Sequence, residues 1–385
     1  MYQLRVIGLA ACLVSTPVLA LEKGESRVNG FGTVGFSHLG GEDKGRGFGV
    51  YGQTKDGWRG DQLSKFGGQV QYGVTDAVGL TVQATAKAYG NEWKPTIEWA
   101  YLSWQANDEL MVRTGRLRTP VYQYSESLDV GYSYPWLRLP DEVYSLIQAS
   151  NYEGVDAIYT VPLSFATLSL QGAVGVAKNR DYYLYDTKFD IDYSNLAGAN
   201  VTLATNDYGS VRLGYIAARI DTDIAGNYID ITGKPGRSSL MKLDGDHAKF
   251  TSLSYQYDNG TWLTSSEMAR RVIESDGSHS SDAFYIMGGR RFGDFLAHLT
   301  YAQVDDNPGR QRSWAAGLNY SVSPTVVIKT EFKRVDTTNA YDGNFVRNAQ
   351  ELYNQTIYAR TGGSAGKAPR RFDADIISIG VDFVF

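Results

Sequence analysis

The feature that most constrains this chain is a two-residue alternation that runs to its last residue. In Ile376-Ile377-Ser378-Ile379-Gly380-Val381-Asp382-Phe383-Val384-Phe385, the side chains of Ile377, Ile379, Val381, Phe383 and Phe385 share one face. Ser378, Gly380 and Asp382 share the other, because successive strand residues point to opposite sides. No segment follows to cover the apolar stripe, so a membrane or a second sheet is expected to bury it. A soluble sandwich can end on such a strand as well. The decision therefore rests on whether the upstream segments close a barrel onto this one.

They repeat the same alternation. A first strand over 28–39 leads into a glycine-rich charged loop, 40–62. In the second, Phe66, Val70, Tyr72 and Val74 oppose Lys65, Gln69 and Gln71, and 75–79 turns tightly into a third. There Leu80, Val82, Ala84 and Ala86 oppose Thr81, Gln83, Thr85 and Lys87. A short loop through Pro95 precedes a fourth strand at 96–105, and a fifth follows at 110–118. Residues 119–151 then hold Pro120, Pro135 and Pro140 and show no alternation. Strands are expected at 154–161 and 165–175, with a Tyr- and Asp-rich loop from 178 to about 192. Two more flank the turn 206–209, and a polar loop is expected over 221–247. Later pairs meet at Asp258-Asn259-Gly260, at Phe292-Gly293-Asp294 and at Ser323-Pro324, the first of these being a strong hairpin signal. Beyond Pro324, Val326, Ile328 and Phe332 oppose Lys329, Glu331 and Lys333, and a polar loop at 337–371 precedes the final strand.

The count is sixteen strands with every second connection short. Tyr72, Trp104, Tyr208, Tyr257, Trp262, Phe292, Phe295 and Tyr320 gather beside the short turns, as an aromatic girdle at a membrane interface would. A closed barrel explains the parity, the asymmetry between the two ends and the last strand together. The expected fold is all-β, a transmembrane antiparallel barrel of sixteen strands with short periplasmic turns and long extracellular loops. Mean hydropathy is only −0.30, and no window of the sequence supplies the apolar run of about 18 residues that a spanning helix needs. A barrel whose lumen-facing residues are polar at every second position needs none.

Residues 1–20 read as a secretory signal: Arg5 supplies positive charge, 6–14 is nearly continuous apolar sequence, and Pro17-Val18-Leu19-Ala20 offers a cleavage site after Ala20. Residues 21–385 are then the barrel domain. Leu9-Ala10-Ala11-Cys12 resembles a lipoprotein processing site, but the apolar stretch before Cys12 is only about half a normal h-region and a better site follows. Cys12 is the only cysteine, so a mature chain would have no disulfide, thiol chemistry or thiolate metal site. The net charge of −5 becomes more acidic by one when Arg5 is removed, which argues against a nucleic-acid partner.

The chain resembles the sixteen-stranded porins of Gram-negative bacteria over nearly its whole mature length. The matching features are Phe31-Gly32-Thr33, Gly115-Arg116 followed by a long third loop, Phe292-Gly293-Asp294-Phe295 and the terminal Phe385. None of these short motifs is specific alone; their order and spacing carry the resemblance. It implies an outer-membrane trimer whose third loop folds into the lumen and narrows it. It also implies a last strand, with Phe383 and Phe385, that closes the barrel and addresses it to the barrel-assembly machinery.

A barrel of this size encloses water rather than a packed core, so inward charges face passing solutes. Alternation places Lys65, Lys87, Arg212, Lys329, Lys333, Glu331, Asp382, Glu267 and Arg271 inward. Only one of the adjacent Arg290 and Arg291 can point in, and alternation does not say which. Arg116 and Arg118 are favoured inward, with Arg113 falling on the other face beside Met111 and Leu117; a bulge, a snorkelling side chain or a subunit interface would each reconcile Arg113. The third loop carries Glu126, Asp129, Asp141 and Glu142, with Arg138. Folded inward, its acids would face the basic wall across the constriction and set up a transverse field.

The function expected is an outer-membrane porin, a water-filled channel for passive diffusion of ions and small hydrophilic solutes. A channel selective for an anionic or other small polar solute is the first alternative, and a barrel hydrolase or surface-binding barrel the second. Ion preference does not follow from counting, because the wall is net basic and the loop net acidic. Partners expected are the lipid bilayer, lipopolysaccharide and two further copies of the chain; the loop acids Asp186, Asp190 and Asp192 could bridge lipopolysaccharide through divalent ions, but read first as solvated charge. No cofactor or metal is expected, since no acidic spacing matches a calcium loop. Nor is a reaction: His38, His247, His279 and His298 are few, and no serine stands out as a nucleophile. Gly362-Gly363-Ser364-Ala365-Gly366-Lys367 lacks the Ser/Thr that a phosphate loop places after its Lys, and Pro369 sits where a helix should start.

Overall fold

A computed structural model describes residues 21–385 apart from 43–46, 50–56, 90–91, 185–186, 276–278, 307–308, 339–340, 346–348 and 369. The proposed signal segment and Asp186 lie outside the described residues. Sixteen strands cross the wall of one closed antiparallel sheet, each paired with its neighbours in chain order. They are β1 (Ser26–Gly40), β2 (Lys65–Thr75), β3 (Val78–Tyr89), β4 (Glu92–Gln105), β5 (Leu110–Arg118), β6 (Asn151–Pro162), β7 (Ala166–Leu184) and β8 (Thr187–Thr205). The second half comprises β9 (Ser210–Ile229), β10 (Pro235–Asp258), β11 (Trp262–Glu274), β12 (His279–Phe292), β13 (Phe295–Asp306), β14 (Gly309–Ser323), β15 (Val326–Thr337) and β16 (Asp373–Val384). A three-residue strip, Gly57–Arg59, pairs with β1 and adds no wall.

Closure is made by β1 and β16, in register from Phe31↔Val384 to Gly40↔Asp375. Gly30 and Phe385 complete the seam by exchanging both backbone bonds, at 2.7 and 2.9 Å. The tip of the Phe385 ring lies over Gly30, where a Cβ would come within 2.2 Å of it. Glycine permits that close approach, and the ring covers the backbone that glycine leaves bare. Both sheet edges are thereby removed.

The alternation acts as expected wherever the wall is apolar outside. Ile377 and Ile379 of β16 and Phe66, Val70 and Tyr72 of β2 are exposed, whereas Ser378, Asp382, Thr81, Gln83 and Thr85 are buried. Only lipid makes such a continuous apolar exterior favourable. Near the short turns the belt ends in exposed Trp104, Tyr208, Trp262, Phe292 and Phe295. Arg290 belongs to this girdle, its guanidinium 5.0 Å from the Trp262 ring centroid and 4.9 Å from that of Phe292. Its neighbour Arg291 points inward and pairs with Asp258 at 2.5 and 2.7 Å. No described helix is long and apolar enough to cross a membrane; the strands do so.

The long-loop end departs from expectation. Residues 178–192 and 221–247 form few loops: β7–β8 and β9–β10 continue through them as paired hairpins. Pro95 lies within β4, opposite Ala86. Beyond the lipid belt both faces of a strand are wet, so the apolar signal vanishes while the backbone pairing persists. The polar stretch 337–371 contains a helix, α2 (Ala349–Arg360), whose Tyr353 stacks on Tyr228 of β9 at 4.3 Å between centroids.

Candidate pore constriction

Residues 119–150, between β5 and β6, fold into the barrel. Two short elements shape the segment, a 3-10 turn at Gly131–Ser133 and the single-turn helix α1 (Asp141–Tyr144). Its aromatic and aliphatic side chains, Tyr122, Tyr124, Tyr134, Trp136, Leu139 and Val143, are buried together with Phe250, Tyr285 and Met287 of the wall. Edge contacts at 5.2 Å (Tyr122–Phe250) and 5.4 Å (Trp136–Tyr285) lock the rings. Three polar tips find wall partners, Trp136 Nε1 donating to Thr300 at 2.8 Å, Tyr124 OH to Ser265 at 3.2 Å and Tyr144 OH to Glu267 at 2.8 Å, while Tyr122 OH accepts from the loop's own Ile147 N at 2.8 Å. Glu267 also accepts from the Gln123 backbone at 3.0 Å. Arg212 donates to Pro120 O at 3.1 Å, and Arg271 to Leu146 O at 3.0 Å.

The acids of the loop meet the basic wall directly rather than across a gap. Asp129 accepts from Lys87 at 2.8 Å and from the Arg118 guanidinium. The same two cations reach Glu98 of β4, at 3.1 and 3.2 Å. Burial alone pushes the Asp129 carboxyl up, but Lys87, Arg118 and Lys65 more than reverse this and hold it far below the ordinary value of 3.8. Asp141 and Glu142 both take Lys333, at 3.0 and 3.3 Å. Lys329 is 2% exposed. It donates to the backbone carbonyls of Gly131, Tyr134 and Trp136 at 2.8, 2.6 and 3.2 Å, and pairs with Asp382 of β16 at 2.6 Å. Lys65 bonds Tyr134 OH at 3.0 Å. These lysines clamp the loop to the wall, a role that strand alternation could not reveal.

The arginines of β5 also differ from expectation. Arg113 is buried in the lumen and grips Asp156 of β6 at 2.9 and 2.5 Å, with Glu126 at 3.3 Å. Arg118 points inward too, although five residues separate them and strict alternation would oppose them. Between them Gly115 has φ +133°, and a Cβ there would lie 2.3 Å from Ala100 O, but the pairing runs through it without a register shift and Leu117 is buried on the Arg113 side, so the phase changes at Arg118, where the strand ends. Arg116, favoured inward by alternation, is half-exposed beside Asn151 (3.1 Å) and Glu153 (3.7 Å). Glu331 is buried on the lumen face of β15. Glu98 and Asp156 are anchors that sequence reading missed. Neither belongs to a regular polar face in the sequence, and a register shift opposite Glu98 disguises its phase.

The inserted segment leaves a space on either side. One, of about 320 Å³, adjoins β2–β5 and is lined by Lys65, Lys87, Lys94, Arg116, Arg138 and Arg180 with Glu98, Asp129, Asp141 and Asp181. The other, of about 990 Å³, adjoins β8–β11 and is walled largely by aliphatic and aromatic side chains.

No protein-family model matches this sequence, and no curated protein is similar to it in sequence. Solved structures are similar in fold. The in-vitro folded, trimeric form of the outer-membrane protein OmpT of Vibrio cholerae superposes at a TM-score of 0.57 with 13% identity, covering 94% of this chain and 100% of that one. The anion-selective porin of Comamonas acidovorans gives 0.58 with 13% identity over 94% and 100%. The outer-membrane channel DcaP of Acinetobacter baumannii gives 0.56 with 11% identity over 94% and 98%.

Proposed function

The chain has the fold of the sixteen-stranded porins, and we propose from it that the protein is an outer-membrane channel admitting ions and small hydrophilic solutes by passive diffusion. The observation that carries this reading is the charged passage beside the inserted loop. Water-filled and lined by fixed charge, it favours polar solutes, which exchange hydration for protein contacts, over apolar ones, which must displace ordered water. On this reading the protein is a channel and not an enzyme. It is exported by a signal cleaved after Ala20, folded through assembly machinery that reads β16 with Phe383 and Phe385, and seated in the Gram-negative outer membrane against lipopolysaccharide. The trimeric Vibrio cholerae barrel supports a homotrimer here. In planar bilayers the purified protein should give stepwise ionic current; no current from correctly folded protein would overturn the proposal.

A second reading, preference for anions, is favoured by the lining of the charged passage, where six cationic side chains face four acidic ones. The anion-selective Comamonas porin lends it support by analogy of fold. A reversal potential measured across a salt gradient reports the sign directly, and a cation-selective value would remove this reading without touching the first.

A further inference from the structure

The larger space is not what a wet lumen calls for. On the inner face of β9, Ile216, Ala218 and Ile220 replace the polar residues expected there, and all are buried. Phe250, Tyr193 and the loop residue Ile147 complete an apolar wall around about 990 Å³. That volume is in the range of sites that enclose a drug-sized ligand, and such sites are apolar with a few placed polar groups. Water gains little from such a surface, whereas an apolar body gains by leaving water to cover it.

One charge projects from this wall at depth. Arg271 donates Nη1 to Leu146 O at 3.0 Å and Nη2 to Ser281 Oγ at 2.8 Å, both neutral acceptors. It forms no ion pair with a described residue, and its buried Nε donor has no partner. The acid behind it, Asp306, is occupied otherwise: it accepts from Ser281 Oγ at 3.0 Å and from Tyr341 OH at 3.5 Å. The chamber is also lined by Lys242, Asp244 and the half-buried Asp246 of β10 and by Lys249 and Glu274, which pair with each other. A guanidinium held in an apolar recess with a donor to spare is suited to a carboxylate, which it binds by charge-assisted hydrogen bonds.

We propose that this chamber binds an organic monocarboxylate with an apolar body, the carboxylate on Arg271 and the body against Ile216, Ile220, Phe250 and Tyr193. The inference goes beyond the channel reading, because binding at equilibrium requires no current through the charged passage. The body can be aromatic or aliphatic, and two probes separate these sources. Equilibrium dialysis of the full chain in lipid nanodiscs against 3-phenylpropionate and decanoate should give saturable binding of at least one acid at one site per chain. The alcohol 3-phenylpropanol should bind at least ten-fold more weakly than 3-phenylpropionate if the aromatic acid is the one bound, and decanol likewise if it is decanoate. Arg271→Gln should reduce the acid to the affinity of its alcohol, and Ala218→Phe, which fills the chamber from the opposite wall, should weaken acid and alcohol alike. Because Arg271 also steadies the loop, each variant is first checked for barrel fold by circular dichroism, and Ala218→Phe stands alone if Arg271→Gln does not fold. Failure of both acids to bind, equal affinity for acid and alcohol, or wild-type binding by the variants would overturn the proposal. Conductance of the same preparation reports separately on the channel reading.

Discussion

The two spaces beside the inserted loop are enclosed by one sheet under one rule of alternation, yet the strands beside them line them differently. Beside β2–β5 the inner positions carry Lys65, Lys87 and Glu98; beside β8–β11 they carry Tyr193, Ile216, Ile220 and Phe250. Alternation sets which positions face inward and leaves their chemistry free. The difference teaches that the loop divides the lumen by chemistry as well as by space, because it contributes Asp129 to the cations on one side and Leu146 to the apolar wall on the other.

The comparison is broken most severely by freeing the loop. Lys329→Met removes the cation that binds three loop carbonyls and leaves Asp382 buried without its partner, a loss of roughly 3–5 kcal/mol for a buried pair. Larger and noisier single-channel conductance is expected, as the two spaces merge; unchanged current traces would show that the loop does not need this clamp. A smaller effect is expected from Asp129→Asn, which leaves Lys87 and Arg118 with Glu98 alone and should move the reversal potential toward anions. The folded-state carboxyl titrates below its ordinary 3.8. Its contribution is therefore complete above that value and fades only as pH falls through the lower folded value. The difference between variant and parent should accordingly hold from pH 7 to about 4.5, and its disappearance near pH 6 would contradict the ion-paired geometry. Ile220→Ala, on the apolar side, should leave the reversal potential unaltered, and a shift there would mean that ions use both spaces. Least of all, Arg290→Ala should cost about 0.5–1 kcal/mol through lost cation–π contact in the girdle, measurable as a small drop in thermal unfolding temperature with conductance intact.

How far the sequence could be read follows the same division. The wall was legible wherever lipid lies on one side, since Phe66, Val70, Ile377 and Ile379 then contrast with polar neighbours at every step. It was illegible in the β7–β8 and β9–β10 hairpins, where water on both faces erases the contrast. Among the candidate constriction residues, the inward phase of Lys87, Lys329 and Lys333 could be read from their strands. Their partners could not, because pairing with Asp129, Gly131 or Asp141 depends on how a loop without periodicity folds. Arg113 was misplaced for a sharper reason: it alternates regularly with Leu117 on the lumen face, and Arg118, at the strand end where alternation lapses, points the wrong way for choosing that face.

The Lys329 clamp also says something about time. Its acceptors lie between β5 and β6, while the lysine sits on β15 and its counter-charge Asp382 on β16. Nearly 200 residues separate the lysine from the carbonyls it holds, the Gly131 bond spanning 198, and contacts at such separation form late because chain closure must precede them. The loop therefore lacks this clamp until the last strands are in place. A newly closed barrel should pass through a state with its lumen undivided, more permeable than the finished protein, and a pulse of leak during assembly into vesicles would be its trace.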